Sequence, residues 1–422
     1  MWKKKDCYIF VKRQIRRLIE YKIIDECKVY RLKGTPIALK YSLRRKFKRK
    51  WESIPVKQNK IVFDNYMGSG YGCNGKYVTE TLLKNIERYE IVWIVKDAKK
   101  KRKLFPKQIE VLEYMSPEAF KAYASAKVWV CNYHMVPYIN KGLFKKDNQI
   151  YIQLWHGSFG IKKIEGDTPA LSKDQNWIWL AKKNSAITDY WISNSRFETL
   201  VYRQAFWNPS KILEYGHPRN DLFFNLTNTV EKKVKSLLHI DPYVKIVLYV
   251  PTFRDEKKYT IERLNINMLL DNLASKFGGS WELVLRFHPR MEKDLARSLV
   301  ENGKFVDATE YPDIQELLGT AAIVITDYSS CIFDFLLTGR PGFLYVPDRD
   351  YYADIRGLYY PLENTPFSVS ESNIELGNNI INFDENKYKE QIVEFLSEKG
   401  SVEDGKAARR VGKLIDSVVN EK

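Results

Sequence analysis

The stretch Ala321-Ala322-Ile323-Val324-Ile325-Thr326-Asp327-Tyr328-Ser329-Ser330, running on into Cys331-Ile332-Phe333-Asp334-Phe335-Leu336-Leu337, is the most informative segment of the chain. Its first five residues form an apolar run that reads as a buried strand. Its last seven read as a helix, closed by Gly339 and Pro341. A strand that feeds a helix through a short polar turn is half of a parallel βαβ unit. The turn sets Ser329 and Ser330 at a helix N-terminus on the carboxyl edge of the sheet. Unpaired N–H groups and the helix dipole favour an anion there, above all a phosphate. Serine is also an ordinary N-cap, so the turn acquires meaning only from its surroundings.

Elsewhere in the chain, strand-like runs recur at 60–64, 91–96, 109–112, 127–131, 149–154 and 190–193, then again at 244–250, 282–287, 322–325 and 342–346. Helical patterns lie between them, among them 77–86, 117–126, 266–277, 292–302 and 314–318, and 402–420 reads as a last long helix. Short apolar strands alternating with helices predict parallel α/β sheets, and 422 residues are too many for one core. The expected division is a terminal segment over 1–55, a first doubly wound domain over 56–230 and a second over 231–422, with a cleft between the two domains.

The formal charge of +17 is concentrated at one end. Residues 1–50 hold 18 Lys/Arg against 4 Asp/Glu, so the rest of the chain is nearly balanced. That argues against a nucleic-acid groove on the globular body. Val11, Ile15, Leu18, Ile19 and Ile23 recur at helical spacing among Lys12, Arg13, Arg16, Arg17 and Lys22. A second cluster, Arg44, Arg45, Lys46, Lys48, Arg49 and Lys50 with Phe47 and Trp51, adds aromatic anchors. Basic amphipathic segments of this kind lie on anionic membrane surfaces, each cation contributing about 1 kcal/mol near the leaflet; a solvated helix packed on the body is the plainer alternative. No apolar run is long enough to span a bilayer and no signal peptide is evident, so the expected location is peripheral, on the cytoplasmic face of the membrane. The five scattered cysteines show no metal-ligand spacing and fit reduced thiols.

Several histidines fall where strands end. In Leu154-Trp155-His156-Gly157-Ser158 a strand runs into small residues that let a substrate approach the backbone. His156 is thereby expected at a sheet's carboxyl edge, with an imidazole able to take a proton. In Arg286-Phe287-His288 the cation and the imidazole share one strand face by the two-residue period, a sensible grip on phosphate. Gly216-His217-Pro218-Arg219-Asn220-Asp221 and Pro251-Thr252-Phe253-Arg254-Asp255 close two more strands. Taken singly, each is a turn with ordinary Pro and Asx chemistry.

Taken together and in this order, those segments and Thr326-Asp327-Tyr328-Ser329-Ser330 resemble the CDP-glycerol glycerophosphotransferases, the teichoic acid primases and polymerases. Phe63-Asp64-Asn65 with Asn74-Gly75-Lys76, and the later segment 351–360, resemble the family's opening and tail motifs. The resemblance implies a GT-B fold, two Rossmann-like domains facing a cleft. It implies transfer of a polyol phosphate from a CDP-polyol to a hydroxyl of an undecaprenyl-lipid-linked acceptor, releasing CMP, in teichoic acid or capsule synthesis. Carried over by motif, His156 is the base and His288 its catalytic companion at the donor pyrophosphate. Gly157, Ser158, Arg219, Pro251, Thr252, Arg286, Ser329, Ser330 and Asp334 are the expected donor contacts. The chemistry requires no metal, which leaves a divalent cation optional at Asp348-Arg349-Asp350. His217, Ser158 and Leu358 depart from the family pattern and leave glycerol against ribitol open. A nucleotide-sugar transferase of the same architecture and a non-catalytic surface-binding protein are the competing readings.

Overall fold

The computed structural model describes residues 51–169, 175–209, 211–252, 263–287, 299–349 and 357–421. The basic residues from Arg13 to Lys50 lie outside the described residues, as do Arg254, Asp255, His288, Asp350 and residues 351–356 of the tail motif.

Strands are numbered in chain order: β1 (Lys57–Asp64), β2 (Glu90–Val95), β3 (Glu110–Glu113), β4 (Ala126–Cys131), β5 (Ile150–Gln153), β6 (Tyr190–Ser193), β7 (Ile212–Glu214), β8 (Lys245–Val250), β9 (Leu264–Asn265), β10 (Trp281–Leu285), β11 (Val300–Glu301), β12 (Val306–Asp307), β13 (Ile323–Thr326), β14 (Gly342–Tyr345) and β15 (Ser368–Ser370). The first sheet runs β3-β2-β1-β4-β5-β6-β7 and the second β12-β10-β8-β13-β14-β15, each parallel throughout. Both orders reverse direction beside their first strand, at β1/β4 and at β8/β13, the doubly wound pattern whose switch points form ligand crevices. The fold is therefore GT-B, two Rossmann-like lobes: the alternation of elements predicts the two parallel α/β sheets, and the family resemblance the GT-B arrangement.

Each sheet is buried on both faces, which is why its strands are unbroken apolar runs. Ile61 and Phe63 point into one core with Trp93 and Val95, while Val62 points to the other with Ile94 and Trp129. The second lobe is divided the same way, Leu248 and Val324 on one side and Val247 and Ile325 on the other. The principal helices are α1 (Cys73–Leu82), α2 (Pro117–Ser125), α3 (Gln175–Ile187), α4 (Arg196–Ala205), α5 (Asn228–Leu237), α6 (Ile266–Phe277), α7 (Ile314–Thr320), α8 (Cys331–Phe335), α9 (Asn373–Ile381), α10 (Glu385–Lys399) and α11 (Ala407–Asn420). Their starts follow capping chemistry: Ser116, Ser195, Asn265 and Ser372 each accept an N–H from the first turn.

Two local expectations are corrected. The helix read over 292–302 does not extend to its end, because Val300 and Glu301 pair as a strand with Leu264 and Asn265. The last helix starts at Ala407 rather than Val402. Val411, Ile415 and Val418 enter the first lobe's core beside Ile61, Phe63 and Val78. Amphipathic periodicity shows that a helix has a face to bury, but not which lobe receives it.

Candidate active site

The expected residues gather at the carboxyl edges of the two sheets. His156 follows β5, Thr252 follows β8, Arg286 follows β10, and Ser329 and Ser330 follow β13. The loop after His156 reaches the opposite lobe: a Cβ placed on Gly160 would sit 3.6 Å from Cβ of Ser330. Leu358 bridges antiparallel to Lys162, Tyr359 N–H donates to Ile161 O at 2.7 Å, and Tyr360 donates its hydroxyl to Phe159 O. The described part of the tail motif thus straps this loop to the second lobe.

His156 is half-buried, and its Nδ1 lies 2.8 Å from Asn132 O. A carbonyl only accepts, so Nδ1 carries the proton and Nε2 keeps its lone pair, with no partner among the described residues. Burial pushes the imidazole pKa down to about 3, against the raising effect of the Asn132 bond and with help from Arg219, His134 and Lys162 nearby. The free protein therefore presents a neutral imidazole with one tautomer set. Asn132 is itself fixed, donating to Asn65 Oδ1 at 2.7 Å and accepting Tyr66 N–H at 2.7 Å. Trp155, just before the histidine, sits in the left-handed region at φ 48°, where a bulky residue is strained. Asn74 holds that kink, donating to Leu154 O at 3.1 Å and Trp155 O at 3.0 Å. Gly157 packs under the same indole, where a Cβ would meet Trp155 Nε1 at 3.2 Å.

On the other lobe Arg286 donates Nη1–H to Tyr311 O at 2.6 Å, its one side-chain partner among the described residues. Burial lowers its pKa, opposed by Asp313, yet a guanidinium stays charged. Thr252 N–H lies 3.0 and 2.9 Å from the two carboxylate oxygens of Asp327, which ties β8 to β13 across the switch point beside Pro251. Ser330 makes no side-chain cap to α8, and Ser329 Oγ accepts Cys331 N–H only at 3.5 Å. Both serines are half-buried. The arrangement offers a neutral base on one lobe and a cation with polar turn groups on the other.

Three of the expected donor contacts are buried and paired within the protein. Ser158 is 1% exposed and its Oγ accepts from Asn194 Nδ2 at 2.8 Å. Arg219 and Asp334, 2% and 3% exposed, are paired with each other. Arg219 donates Nε–H to Asp334 Oδ2 at 2.8 Å and Nη2–H to Gly157 O at 2.7 Å. Burial opposes its charge, but Asp334 more than offsets this and holds the pKa above the usual value. The guanidinium therefore braces the His156 loop to the first turn of α8 and does not line open space. His217, whose departure from the pattern suggested donor selectivity, is fully buried. Its Nε2 lies 2.9 Å from Glu198 Oε2, close enough for an ion pair though not aligned as a hydrogen bond. Around the optional cation motif, Asp348 Oδ1 accepts from Tyr328 Oη at 3.2 Å, and Arg349 pairs with Glu363 at 2.5 Å and Glu371 at 3.4 Å.

Sequence reasoning singled out neither Asn132 nor the site role of Asn74. A polar residue directly after the run 127–131 was the available signal for Asn132; Asn74 stood inside a quoted motif whose partners are 80 residues away.

A family model for CDP-glycerol:poly(glycerophosphate) glycerophosphotransferase matches residues 46–417. The chain is 32% identical over 382 residues to the teichoic acid poly(glycerol phosphate) polymerase of Staphylococcus epidermidis, a match covering 87% of this chain and 52% of that protein. It is 26% identical over 385 residues to the teichoic acid poly(ribitol-phosphate) polymerase of Bacillus spizizenii, covering 87% of this chain and 57% of that one. The chain thus spans about half the length of these two relatives. Among solved structures, the wall teichoic acid polymerase TagF superimposes with a TM-score of 0.77 at 28% identity, covering 96% of this chain and 98% of that one.

Proposed function

The chain belongs to the CDP-glycerol:poly(glycerophosphate) glycerophosphotransferase family, and from that premise we propose that it transfers glycerol phosphate from CDP-glycerol to a hydroxyl of a lipid-linked acceptor, releasing CMP. His156 Nε2 takes the proton of the attacking hydroxyl. Its oxygen forms a new bond to the phosphorus that carries glycerol, and the bond from that phosphorus to the bridging oxygen breaks. CMP leaves with the bridging oxygen and its electron pair. Arg286 and the Ser329–Ser330 turn stabilise the charge that develops there, which is where phosphoryl transfer needs it, and its motif assigns His288 to the same task. Arg219 and Asp334 keep the base and the turn in register. The observation that carries this reading is the tautomer: Nδ1–H is spent on Asn132 O, so the free nitrogen is a proton acceptor.

Glycerol is preferred to ribitol because the match to the glycerol-phosphate polymerase is the stronger of the two. In this reading the basic segment before residue 51 seats the protein on the anionic inner surface of the membrane, and no resident metal is needed. The test compares CMP release from CDP-glycerol, CDP-ribitol and nucleotide sugars, with and without chelator. CDP-glycerol is expected to be the best donor and chelator to leave the rate unchanged. His156→Ala is expected to lower kcat by about 100-fold or more with retained donor binding; near-normal turnover would remove His156 as the base. Deleting residues 1–50 is expected to abolish binding to anionic vesicles and leave donor binding intact.

A further inference from the structure

Two tyrosines that belong to none of the family-like motifs stand beside His156. Tyr66 stands two residues beyond β1 and Tyr133 two residues beyond β4, the neighbouring strands at which the first sheet reverses its order. Loops diverge at such a switch point and leave a ligand crevice at the carboxyl edge. The two rings lie 4.6 Å apart, tilted by 43°. Each also touches the imidazole: Tyr66 meets His156 edge-on at 5.0 Å between centroids, and Tyr133 meets it at 5.4 Å. A hydroxyl that comes within about 3 Å of His156 brings the carbons that bear it into the neighbourhood of these rings.

Three core tyrosines of this lobe behave differently. Tyr123, Tyr138 and Tyr151 are fully buried in the core, whereas Tyr66 and Tyr133 stay half-exposed beside the base. The chain bears strain to keep Tyr66 there. Tyr66 and Met67 hold left-handed backbones at φ 45° and 55°, a region that is strained for any non-glycine residue. Asn132 Oδ1 accepts Tyr66 N–H, and Asp64 accepts Gly68 N–H at 2.8 Å, which fixes the loop in that shape. Gly68, at φ 81°, tolerates no side chain, since a Cβ would come within 2.9 Å of Lys96 N.

We infer that Tyr66 and Tyr133 form the acceptor subsite, packing their ring faces on the carbon skeleton of the polyol or sugar that presents the attacking hydroxyl. This rests on the proposed transfer reaction. Aromatic rings with a polar tip suit such a ligand, because they cover its C–H surface while leaving its hydroxyls wet. The subsite makes the two tyrosines determinants of acceptor affinity and leaves the donor, held by the other lobe, indifferent to them.

The experiment measures steady-state KM for a soluble acceptor probe, an octyl glycoside ending in glycerol phosphate, and Kd for CDP-glycerol without acceptor. Tyr66→Ala and Tyr133→Ala are each expected to raise acceptor KM about tenfold, the upper end for one aromatic contact, while CDP-glycerol Kd stays within about twofold. Tyr66→Phe and Tyr133→Phe should recover most of the lost affinity, because they restore the ring face. Retained donor binding also shows that the alanine variants are folded. An unchanged acceptor KM in both alanine variants, with a normal wild-type rate, overturns the subsite alone. Equal weakening of CDP-glycerol assigns the rings to the donor and overturns it too, as does a loss in the phenylalanine variants matching that of alanine. No CMP release by the wild-type chain from any CDP-polyol overturns the transfer reading, and the subsite with it.

Discussion

His156 illustrates how one hydrogen bond can assign a chemical role. With Nδ1–H given to Asn132 O and the ring desolvated, the imidazole stays neutral far below the usual histidine range. In a 15N NMR titration of the free protein, its ring signals are expected to remain those of the Nδ1–H neutral tautomer from pH 8 to about pH 5. A midpoint near 6.5 would contradict that environment. The same shift sets the sign of the stability effect. The unfolded chain binds this proton near pH 6.5 and the folded one only near 3, so folding is favoured by the neutral ring above pH 6.5 and that contribution drains away as pH falls towards 3. An anionic donor beside the ring would raise its pKa again, which is the direction a base needs when the substrate is in place.

At the scale of elements, the segment 216–221 works as a junction. Arg219 reaches α8, Asn220 Nδ2 donates to Asp334 at 3.0 Å and to Glu403 at 2.8 Å, and Asp221 accepts Ala407 N–H at 2.9 Å and Ala408 N–H at 2.8 Å. The start of α11, which has no side-chain cap of its own, is capped by a carboxylate 186 residues earlier. That cap aims the helix back over the first lobe, where Ile415 is fully buried among β1 and α1 side chains. Ile415→Ala is expected to cost about 2–5 kcal/mol of stability, read by urea unfolding, since the cavity opens inside the first lobe. A loss below about 1 kcal/mol, the cost of a surface change, would mean that α11 is not part of that core.

At the scale of the whole molecule, buried ion pairs join the two lobes. Lys76 on α1 reaches Asp313 at 2.8 Å and Glu316 at 2.7 Å beside α7, and Arg219 reaches Asp334. Breaking such a pair costs about 3–5 kcal/mol because the partner is left charged and dry, so these contacts specify alignment more than they add stability. Glu403, at the same junction, is pushed up to about 7 by burial, with His217 acting against the shift. Between its unfolded value near 4.5 and pH 7 the folded state holds a proton that the unfolded state has released. That stabilising contribution is lost as pH rises through 7. The wild-type melting temperature is expected to drop between pH 6 and 8.5, and Glu403→Gln to flatten that drop; a parallel decline in both proteins would show that Glu403 does not titrate there.

Both Rossmann halves were legible in the local order of residues, because parallel strands buried on two faces must be short apolar runs and their helices must alternate with them. The same reasoning placed His156, Thr252, Arg286 and the Ser329–Ser330 turn at strand ends, since that depends only on where an apolar run stops. Long-range packing alone revealed that Ser158, Arg219 and Asp334 face one another or the core, that His217 is sealed beside Glu198, and that α11 returns to the first lobe. A polar residue in a turn looks the same in sequence whether its partner is a ligand or a carboxylate 115 residues away. Desolvation and the pairing it enforces arise from contacts between distant segments, which no local pattern encodes.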